Sequence, residues 1–522
     1  MQTFKGCRFL ILLLTVMVFP WNTNAQDDLR PVSTKYAITN ATIVQAPGRV
    51  IQNGTIIFEN GVIQNIGSNI KIPADAWVIK ADSMYVYAGF ISGMSNIGVP
   101  KPKDERVEID SKLKQNPPYD KAGITPGANV VDGIKKEDKS IDEFRKLGFT
   151  AAVTAPHSGM MPGRSAIILL SDSEPEAMVL KEDFSLYSQL DGASGMYPNT
   201  VIGVMAKYRD MYRKGIQGLD YQKRYAASAA GMVRPVRDLT IESLYPVINK
   251  EVPVSFRAEG VKDIMRVLTL KNELGFNLHL VEVQQGWDAI NEIKKSGSAV
   301  FFSLDLPELK EEEKKEDKEA KSDDEKSEET PEEPKEKTAA DLEQEALEMR
   351  QKEMLTKYYT QMAAYQSAGL KFGFSTLEAS SKDFKKVLSG IIKNGLSEDN
   401  ALAALTTNPA STLGVSSTMG SIDVGKMANL IVTDKPYFEE KSNVRYVFVD
   451  GKMNEYEVKK EKKKKSGGEP IDPKGTWQFE YSSEAGDSYS GNFKIEGEAG
   501  SYSGSLFLSF NGSTSDLTSV EV

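Results

Sequence analysis

The hydrophobic pattern of the chain changes twice, from short β-rich runs to alternating strand-like and helix-like stretches and back again. Residues 35–88 consist of β-branched runs separated by turns, and Asn-Gly pairs at 53–54 and 60–61 indicate hairpins. A second β-rich segment lies far along the chain, at residues 420–453. Taken separately, each segment predicts β hairpins and nothing more specific.

Between these segments, strand-like and helix-like stretches alternate over residues 90–414, which is typical of a TIM-type (β/α)8 barrel. Apolar runs at 253–257 and 299–304 predict buried strands, and the period of residues 261–274 predicts an amphipathic helix. The predicted fold class is therefore α/β, with the barrel at residues 89–414.

Residues 308–337 interrupt the barrel with a run made almost entirely of Glu, Lys, Asp and Ser. Such a segment has too few apolar side chains to bury and is predicted to be disordered. It falls in a loop at the carboxyl ends of the strands, where TIM barrels place active sites. A solvated insertion and a mobile lid are both compatible with this position.

The chain after the second β segment is predicted to hold a linker at 456–474 and a small antiparallel β module at 475–522. Apolar and polar residues alternate in this module, as in Trp477, Phe479 and Tyr481. The sequence ends in a strand-like run without an obvious closing strand. Whether the module is complete, or the chain is half of a longer two-module protein, stays open.

Residues 1–25 have the pattern of a secretory signal: basic Lys5 and Arg8, an apolar run to Phe19, and a cleavage site ending at Ala25. A membrane anchor is the alternative, but the apolar run is about half the roughly 20 residues that a span requires. The expected localisation is secreted or periplasmic, with no transmembrane segment after signal removal. Because the one Cys of the chain lies in this segment, the mature chain cannot form disulfides or act as a thiol enzyme.

The composition of the chain further restricts the number of domains and the kinds of partner that are expected. The chain has 522 residues, enough for two or three domains, and a hydrophobic content of 40% that can support a large core. The formal net charge of −10 argues against a nucleic-acid partner, which would require a basic face.

The segment Gly89-Phe90-Ile91 and the helix end Asn408-Pro409-Ala410 carry a family resemblance. Together with the two β segments, they resemble the amidohydrolase superfamily, in particular the imidazolonepropionase-like branch in its bacterial secreted type. The resemblance implies that residues 34–88 and 415–455 form a composite β-sandwich flanking the barrel. It also implies a hydrolase of non-peptide C–N bonds that uses a divalent metal.

The metal-binding pattern of that family is degenerate in this sequence. The two His positions of the first strand hold Met94 and Asn96, a middle-strand His position holds Arg257, and the last-strand Asp position holds Leu377. A further His is expected at Val283 or Gln284. Thioether, carboxamide and alkyl groups are poor ligands for a zinc-type ion, and a guanidinium repels a cation.

The predicted function is therefore a secreted pseudoenzyme of the amidohydrolase family, without a metal cofactor. It would act as a scaffold or as a partner of an active, metal-bearing amidohydrolase module, or form a homo-oligomer. The alternative is an active metal-dependent amidohydrolase that uses replacement carboxylates and binds zinc or another divalent metal. The replacement ligands would come from the side chains Glu259, Glu282, Asp305, Glu378 and His279.

The barrel mouth, which is expected to lack the metal, is also a candidate ligand site. The side chains proposed to line it are Arg257, Asp305, Glu378, His157 and Arg164. A guanidinium can bind a ligand carboxylate, but Arg257 can equally pair with a neighbouring acid of the chain. His157 with Ser158 or Ser165 would suggest a Ser–His centre, but no third group is visible to orient the His.

Overall fold

The computed structural model describes residues 34–102, 110, 113–308, 339–457, 474–482, 488–497, 503–509 and 513–517. The predicted signal segment, nearly all of the charged insertion and most of the linker lie outside these residues. By its internal contacts the chain divides into two units, residues 1–457 and 458–522, which are described separately.

The first unit contains sixteen strands and eleven α-helices among its described residues. The strands are β1 (Lys35–Ala46), β2 (Arg49–Glu59), β3 (Val62–Gly67), β4 (Trp77–Lys80), β5 (Tyr85–Ala88), β6 (Phe90–Ser95), β7 (Phe149–Thr154), β8 (Gly163–Leu169), β9 (Val179–Ser188), β10 (Val254–Arg257), β11 (Leu278–Val283), β12 (Ala299–Ser303), β13 (Gly373–Ser375), β14 (Leu430–Thr433), β15 (Val444–Val449) and β16 (Lys452–Glu455). The helices are α1 (Lys139–Arg145), α2 (Pro175–Met178), α3 (Val201–Ala227), α4 (Leu239–Glu242), α5 (Tyr245–Ile248), α6 (Val261–Leu274), α7 (Ile290–Ser296), α8 (Ala339–Ser367), α9 (Phe384–Lys393), α10 (Glu398–Leu405) and α11 (Thr407–Thr412). Helix α6 has the bounds that the apolar period predicts.

Both ends of the first unit contribute strands to one eight-stranded sheet, in the order β16-β15-β14-β5-β1-β2-β3, with β4 paired to β1. Strand β14 joins the two segments by pairing with β5, so that Leu430 lies opposite Ala88. The apolar side chains of this sheet form a core of their own, centred on Ile38, Phe58 and Phe448. Because strands from both ends of the unit pair in this sheet, the sheet holds the chain in place where it enters the barrel and where it leaves it.

Strands β6 to β13 form a nearly closed eight-stranded barrel sheet in sequence order. The two end strands meet where the Thr376 amide donates a hydrogen bond to the Met94 carbonyl over 2.8 Å. The α/β class and the barrel are thus confirmed. The end of the barrel at which β6, β10, β11 and β13 finish is called the barrel mouth.

One strand departs from the regular (β/α)8 pattern. Strand β8 runs antiparallel to both β7 and β9, whereas the other pairs in the barrel are parallel. The reason lies in the connection: only residues 155–162 separate β7 from β8, and a parallel crossover requires about a dozen residues or more. The chain therefore turns back as a hairpin at this point.

A single aromatic ring fills the middle of the barrel. A Cβ placed on Gly93 would lie 1.9 Å from the Phe301 ring, and one placed on Gly373 would lie 2.7 Å from it. His279 lies beside the same ring, between Phe301 and Phe184. The barrel centre is thus packed with side chains, and the polar groups of interest lie nearer to the mouth.

The second unit is a four-stranded antiparallel sheet with the strands β17 (Gly475–Ser482), β18 (Ser488–Glu496), β19 (Ser503–Leu508) and β20 (Ser513–Leu517) in sequence order. Its register places Trp477 opposite Phe493 and Phe493 opposite Leu506, so apolar side chains share one face. The Trp477 and Phe493 rings stack at 6.4 Å between centroids. Among the helices in the described part of the chain, none combines the length and apolar character needed to cross a membrane.

Candidate functional site

An arginine at the barrel mouth forms ion pairs with two carboxylates, an arrangement called the Arg257 clamp. Arg257 is the last residue of β10, and its Nε and Nη2 atoms donate to Glu259 Oε1 over 2.8 and 2.5 Å. Its Nη1 atom lies 2.9 Å from Glu378 Oε1, on the segment after β13. The guanidinium side chain is 24% exposed, so both ion pairs lie partly out of water. Arg257 thereby joins the ends of two strands across the mouth.

The clamp holds Arg257 firmly in its charged form. Burial lowers the pKa of the guanidinium, but the nearby Glu259 and Glu378 carboxylates oppose it, and the net shift of the pKa is upward. Tyr187 is buried in β9, and its hydroxyl donates to Gln189 Oε1 over 3.3 Å. Burial is also the main reason that the pKa of Tyr187 is raised. Tyr187 therefore stays neutral next to the guanidinium.

A fully buried carboxyl group lies in the barrel close to this clamp. Glu282 of β11 has no exposed surface, and its two oxygens contact the hydroxyl groups of Ser303 and Ser375. Burial raises the pKa of Glu282 from 4.5 to about 7. The two serine hydroxyls and Arg257 act in the opposite direction and lower it. A carboxyl group with this pKa is half protonated near neutral pH.

Hydrogen bonds of Ser375 connect Glu282 to the seam between β6 and β13. Ser375 Oγ lies 3.1 Å from the Met94 carbonyl and 2.5 Å from Glu282 Oε2. A serine hydroxyl has a single proton to donate, so the two acceptors share it. Donation to Glu282 stabilises the charged carboxylate and opposes the effect of burial on its pKa.

The backbone of Glu282 is also unusual. Its φ of 62° lies in the left-handed region, which a non-glycine residue rarely adopts. The pairing of β11 with β12 shifts register between Leu280 and Val283, on either side of this residue. Conformations of this kind cost about 1–3 kcal/mol and persist only when their surroundings hold them. The two serine contacts provide part of that support.

The other ligand positions expected from the family pattern hold groups that already have structural roles. Met94 is fully buried, and its carbonyl accepts the Thr376 amide at the barrel seam. The Asn96 carboxamide donates to the Ala155 carbonyl over 2.7 Å. Leu377 is half-buried and Val283 fully buried, and neither offers a donor atom.

These residues do not fit a divalent metal. In the described part of the chain, no group of three or more His, Cys, Asp or Glu side chains is placed to hold a metal ion. Glu259 and Glu378 are ion-paired with Arg257, and Glu282 is buried with its serine partners. A metal at this point would have to displace a guanidinium that is itself a cation. The donor set argues against metal-dependent hydrolysis at this site.

The remaining predicted site residues do not join the clamp. His157 Nε2 lies 2.8 Å from the Val99 carbonyl. Arg164 is buried, and its guanidinium donates to the Pro126 and Ser243 carbonyls, which ties two loops together. Asp305 follows β12 with its side chain exposed. Of the five side chains predicted to line the mouth, the structure brings together Arg257 and Glu378.

Ser165, one of the two serines considered for a Ser–His centre, is fully buried within β8, and its hydroxyl contacts that of Ser185. His279, the other histidine, is half-buried and packs against two phenylalanine rings. Burial lowers the pKa of His279 to about 4, so its ring stays neutral in the barrel.

Several residues of the site carry no recognisable signal in the sequence. Three of them lie in apolar strands, where the sequence predicts ordinary core residues: Tyr187, Ser303 and Ser375. Glu282 offers one signal, because a carboxylate within the apolar run Leu278–Val283 requires partners.

Comparison with known proteins agrees with this architecture. The amidohydrolase family model matches residues 350–453, from within α8 to within β16. A crystal structure of an amidohydrolase from Thermotoga maritima aligns with a TM-score of 0.61 at 20% identity, covering 80% of this chain and 99% of that one. Residues 350–453 thus match the amidohydrolase family, and the chain as a whole shares the fold of a solved amidohydrolase. At this identity, the Thermotoga amidohydrolase shows the shared fold alone.

Other amidohydrolase-type structures align less closely. A Xaa-Pro dipeptidase with methionine in its active site reaches a TM-score of 0.46 at 14% identity, covering 81% of this chain and all of that one. N-acetylglucosamine-6-phosphate deacetylase from Pasteurella multocida reaches 0.39 at 13% identity, with the same two coverages. Scores this low support no inference about this chain. No curated protein sequence matches the chain.

Proposed function

We propose that this chain is a metal-free member of the amidohydrolase superfamily, exported to the periplasm or secreted, that acts as a binding or partner module without hydrolysing C–N bonds. The observation that carries the proposal is the Arg257 clamp. A guanidinium paired with Glu259 and Glu378 stands at a position where the family pattern has a metal-binding histidine.

The clamp explains why loss of the metal is compatible with a folded barrel. A divalent ion neutralises the acidic groups that converge at a barrel mouth, and their repulsion would remain if the ion were simply absent. Arg257 supplies a permanent positive charge between two of those carboxylates. Burial favours protonation of Glu282, which reduces the negative charge that this third carboxyl group adds.

The partner is proposed to be a second, metal-bearing amidohydrolase module or a further copy of this chain. The C-terminal sheet supports an association role, since it places apolar side chains such as Phe493 and Leu506 on one face. Trp477 on this face is 46% exposed. A sheet of this kind buries such a face against another layer.

An activity assay tests the proposal most simply. The mature protein, incubated with zinc, manganese or cobalt, is expected to hydrolyse neither N-acetyl amino acids nor Xaa-Pro dipeptides above the rate of the metal-free protein. Metal-dependent turnover that is lost on replacing Glu259 or Glu378 by Gln would refute the proposal. That result would favour the active enzyme with carboxylate ligands.

Export has its own test. Expression of the full chain in a bacterial host, followed by fractionation and N-terminal sequencing, is expected to give a periplasmic or secreted protein that begins at Gln26. Retention of Met1 in the cytoplasm would contradict this part of the proposal.

A further inference from the structure

A second concave site lies outside the barrel, between helix α9 and the loop that follows β14. It encloses about 650 Å³, which is within the usual range for small-molecule pockets. Its walls include the apolar or aromatic side chains of Tyr359, Leu388, Ile392, Tyr437 and Phe438. We call this cavity the lysine pocket because Lys385 forms part of its wall.

Lys385 is a half-buried cation without an ion-pair partner in the described part of the chain. Its ammonium donates to the Ser442 carbonyl and lies 5.2 Å from the centre of the Tyr437 ring. Burial lowers its pKa, and Asp434 raises it only in part. The Asp434 carboxylate is itself bonded to the amide groups of Asn443. A carbonyl and a ring face compensate an ammonium less well than an anion does.

Helix α9 directs further positive charge to the same cavity. The side chains of Lys382, Lys386 and Lys393 also line the pocket, at spacings of three, one and eight residues from Lys385. The opposite face of the helix, with Phe384, Val387 and Ile391, is buried in the barrel core. Lysine therefore occupies the pocket-facing side of an amphipathic helix.

The negative charges near the pocket set limits on the ligand. Glu439 and Glu440 belong to the lining and are exposed, and Glu308 pairs with Lys386. Counting the lining residues and Glu308, four lysines face three glutamates, which leaves the lining a small positive excess. A ligand with a single negative charge suits this balance better than a dianion such as a phosphate ester.

We propose that the lysine pocket binds a small amphipathic carboxylate, with the carboxylate on Lys385 and an aromatic or alkyl group against Tyr437, Phe438 and Leu388. Nothing in this assignment depends on the barrel mouth. The pocket and the Arg257 clamp are built from different residues, so either can fail a test without affecting the other.

The test uses the full mature chain and two matched compounds, 4-phenylbutyrate and 4-phenyl-1-butanol. Both are titrated as competitors against the fluorescent aromatic anion 8-anilinonaphthalene-1-sulfonate. The carboxylate is expected to displace the probe from one site per chain at a concentration at least about tenfold lower than the alcohol, because only the carboxylate gains a charge-assisted hydrogen bond. Equal competition by the two compounds would overturn the proposal.

Three variants test whether the carboxylate binds in the lysine pocket. Lys385→Met is expected to weaken binding of 4-phenylbutyrate by about tenfold. Ser389→Phe, which keeps the charge and fills the cavity, is expected to abolish binding. Lys371→Met, an exposed position just before β13, serves as the matched control and should bind like the wild type. Unchanged binding in a folded Ser389→Phe protein, checked by thermal melting, would show that the probe sits elsewhere and would refute the assignment.

Discussion

The barrel mouth and the lysine pocket each place a cationic side chain partly out of water, and they treat it in opposite ways. Arg257 forms ion pairs with two carboxylates, and the net shift of its pKa is upward. Lys385 has a carbonyl and an aromatic ring as neighbours, and the shift of its pKa is downward. The charge of Arg257 is balanced by carboxylates of the chain itself, whereas the charge of Lys385 is proposed to be balanced by a ligand.

This difference changes the interpretation of the emptied active site. In a barrel mouth without a metal, a ligand would be expected at the position of the metal. The acids that would have bound an ion there, however, already form ion pairs with Arg257. Lys385, a half-buried cation without an ion pair among the described residues, lies outside the barrel, on α9. Whether a charged side chain has an ion-pair partner therefore indicates its role, structural or ligand-binding, better than its position in a known fold does.

The largest expected effect comes from the acid close to the clamp. Glu282 has a folded-state pKa of about 7 against 4.5, so its contribution to stability is fully present below about pH 4.5 and is lost as the pH rises through 7. The shift corresponds to about 3 kcal/mol. Glu282→Gln is expected to match the wild type near pH 4.5 and to exceed its unfolding free energy by up to that amount above pH 8. Denaturant titrations at both pH values measure the difference, and an equal difference at both would contradict the assigned burial.

Removing the clamp should have the next largest effect. Arg257→Met leaves Glu259 and Glu378 without their partner and takes away the charge that lowers the pKa of Glu282. Because both carboxylates are more than a third exposed, the loss of stability should be about 2 kcal/mol, below that of a fully buried pair. A melting temperature equal to that of the wild type would show that the clamp contributes nothing.

The same position offers a gain-of-function test. Arg257→His removes the competing cation and sets an imidazole beside two freed carboxylates, which is a reasonable zinc ligand set. Zinc at tenfold its Kd should then stabilise the variant by about 1.4 kcal/mol and leave the wild type unchanged. Thermal melting with and without zinc measures this shift. Absence of any zinc effect in the variant would mean that the guanidinium is not what excludes a metal.

The smallest effect is expected in the lysine pocket. Lys385→Met removes an ammonium that has no ion pair within the described residues, so its stability without ligand should differ from that of the wild type by less than about 1 kcal/mol. Melting of this variant beside Lys371→Met gives the comparison. A loss as large as that of Arg257→Met would show that Lys385 has a structural role and that the two cations do not differ.

The sequence was informative where local pattern decides structure. The α/β class, the barrel and helix α6 follow from apolar periodicity, whereas the identification of Arg257 as a replaced ligand rests on the family resemblance and stays a prediction. The reversed direction of β8 could not be predicted, because a strand buried on both faces has the same apolar run in either direction. Only the short connection at 155–162 hinted at a hairpin.

The site itself depends on contacts between distant residues. Arg257 and Glu378 are separated by more than a hundred positions and meet because β10 and β13 belong to one barrel. The left-handed φ of Glu282 and its serine contacts likewise have no local signature. A lysine stripe on α9 is visible in the sequence, but the aromatic wall supplied by Tyr437 and Phe438 is not.

The most direct test of the central claim is the metal content of the purified mature protein, measured by elemental analysis and followed by titration with zinc and manganese. The account predicts substoichiometric metal and no thermal stabilisation by either ion, because Arg257 occupies the charge position between Glu259 and Glu378. About one tightly held ion per chain would contradict it, and the carboxylates assigned to the clamp would then have to be reconsidered as ligands.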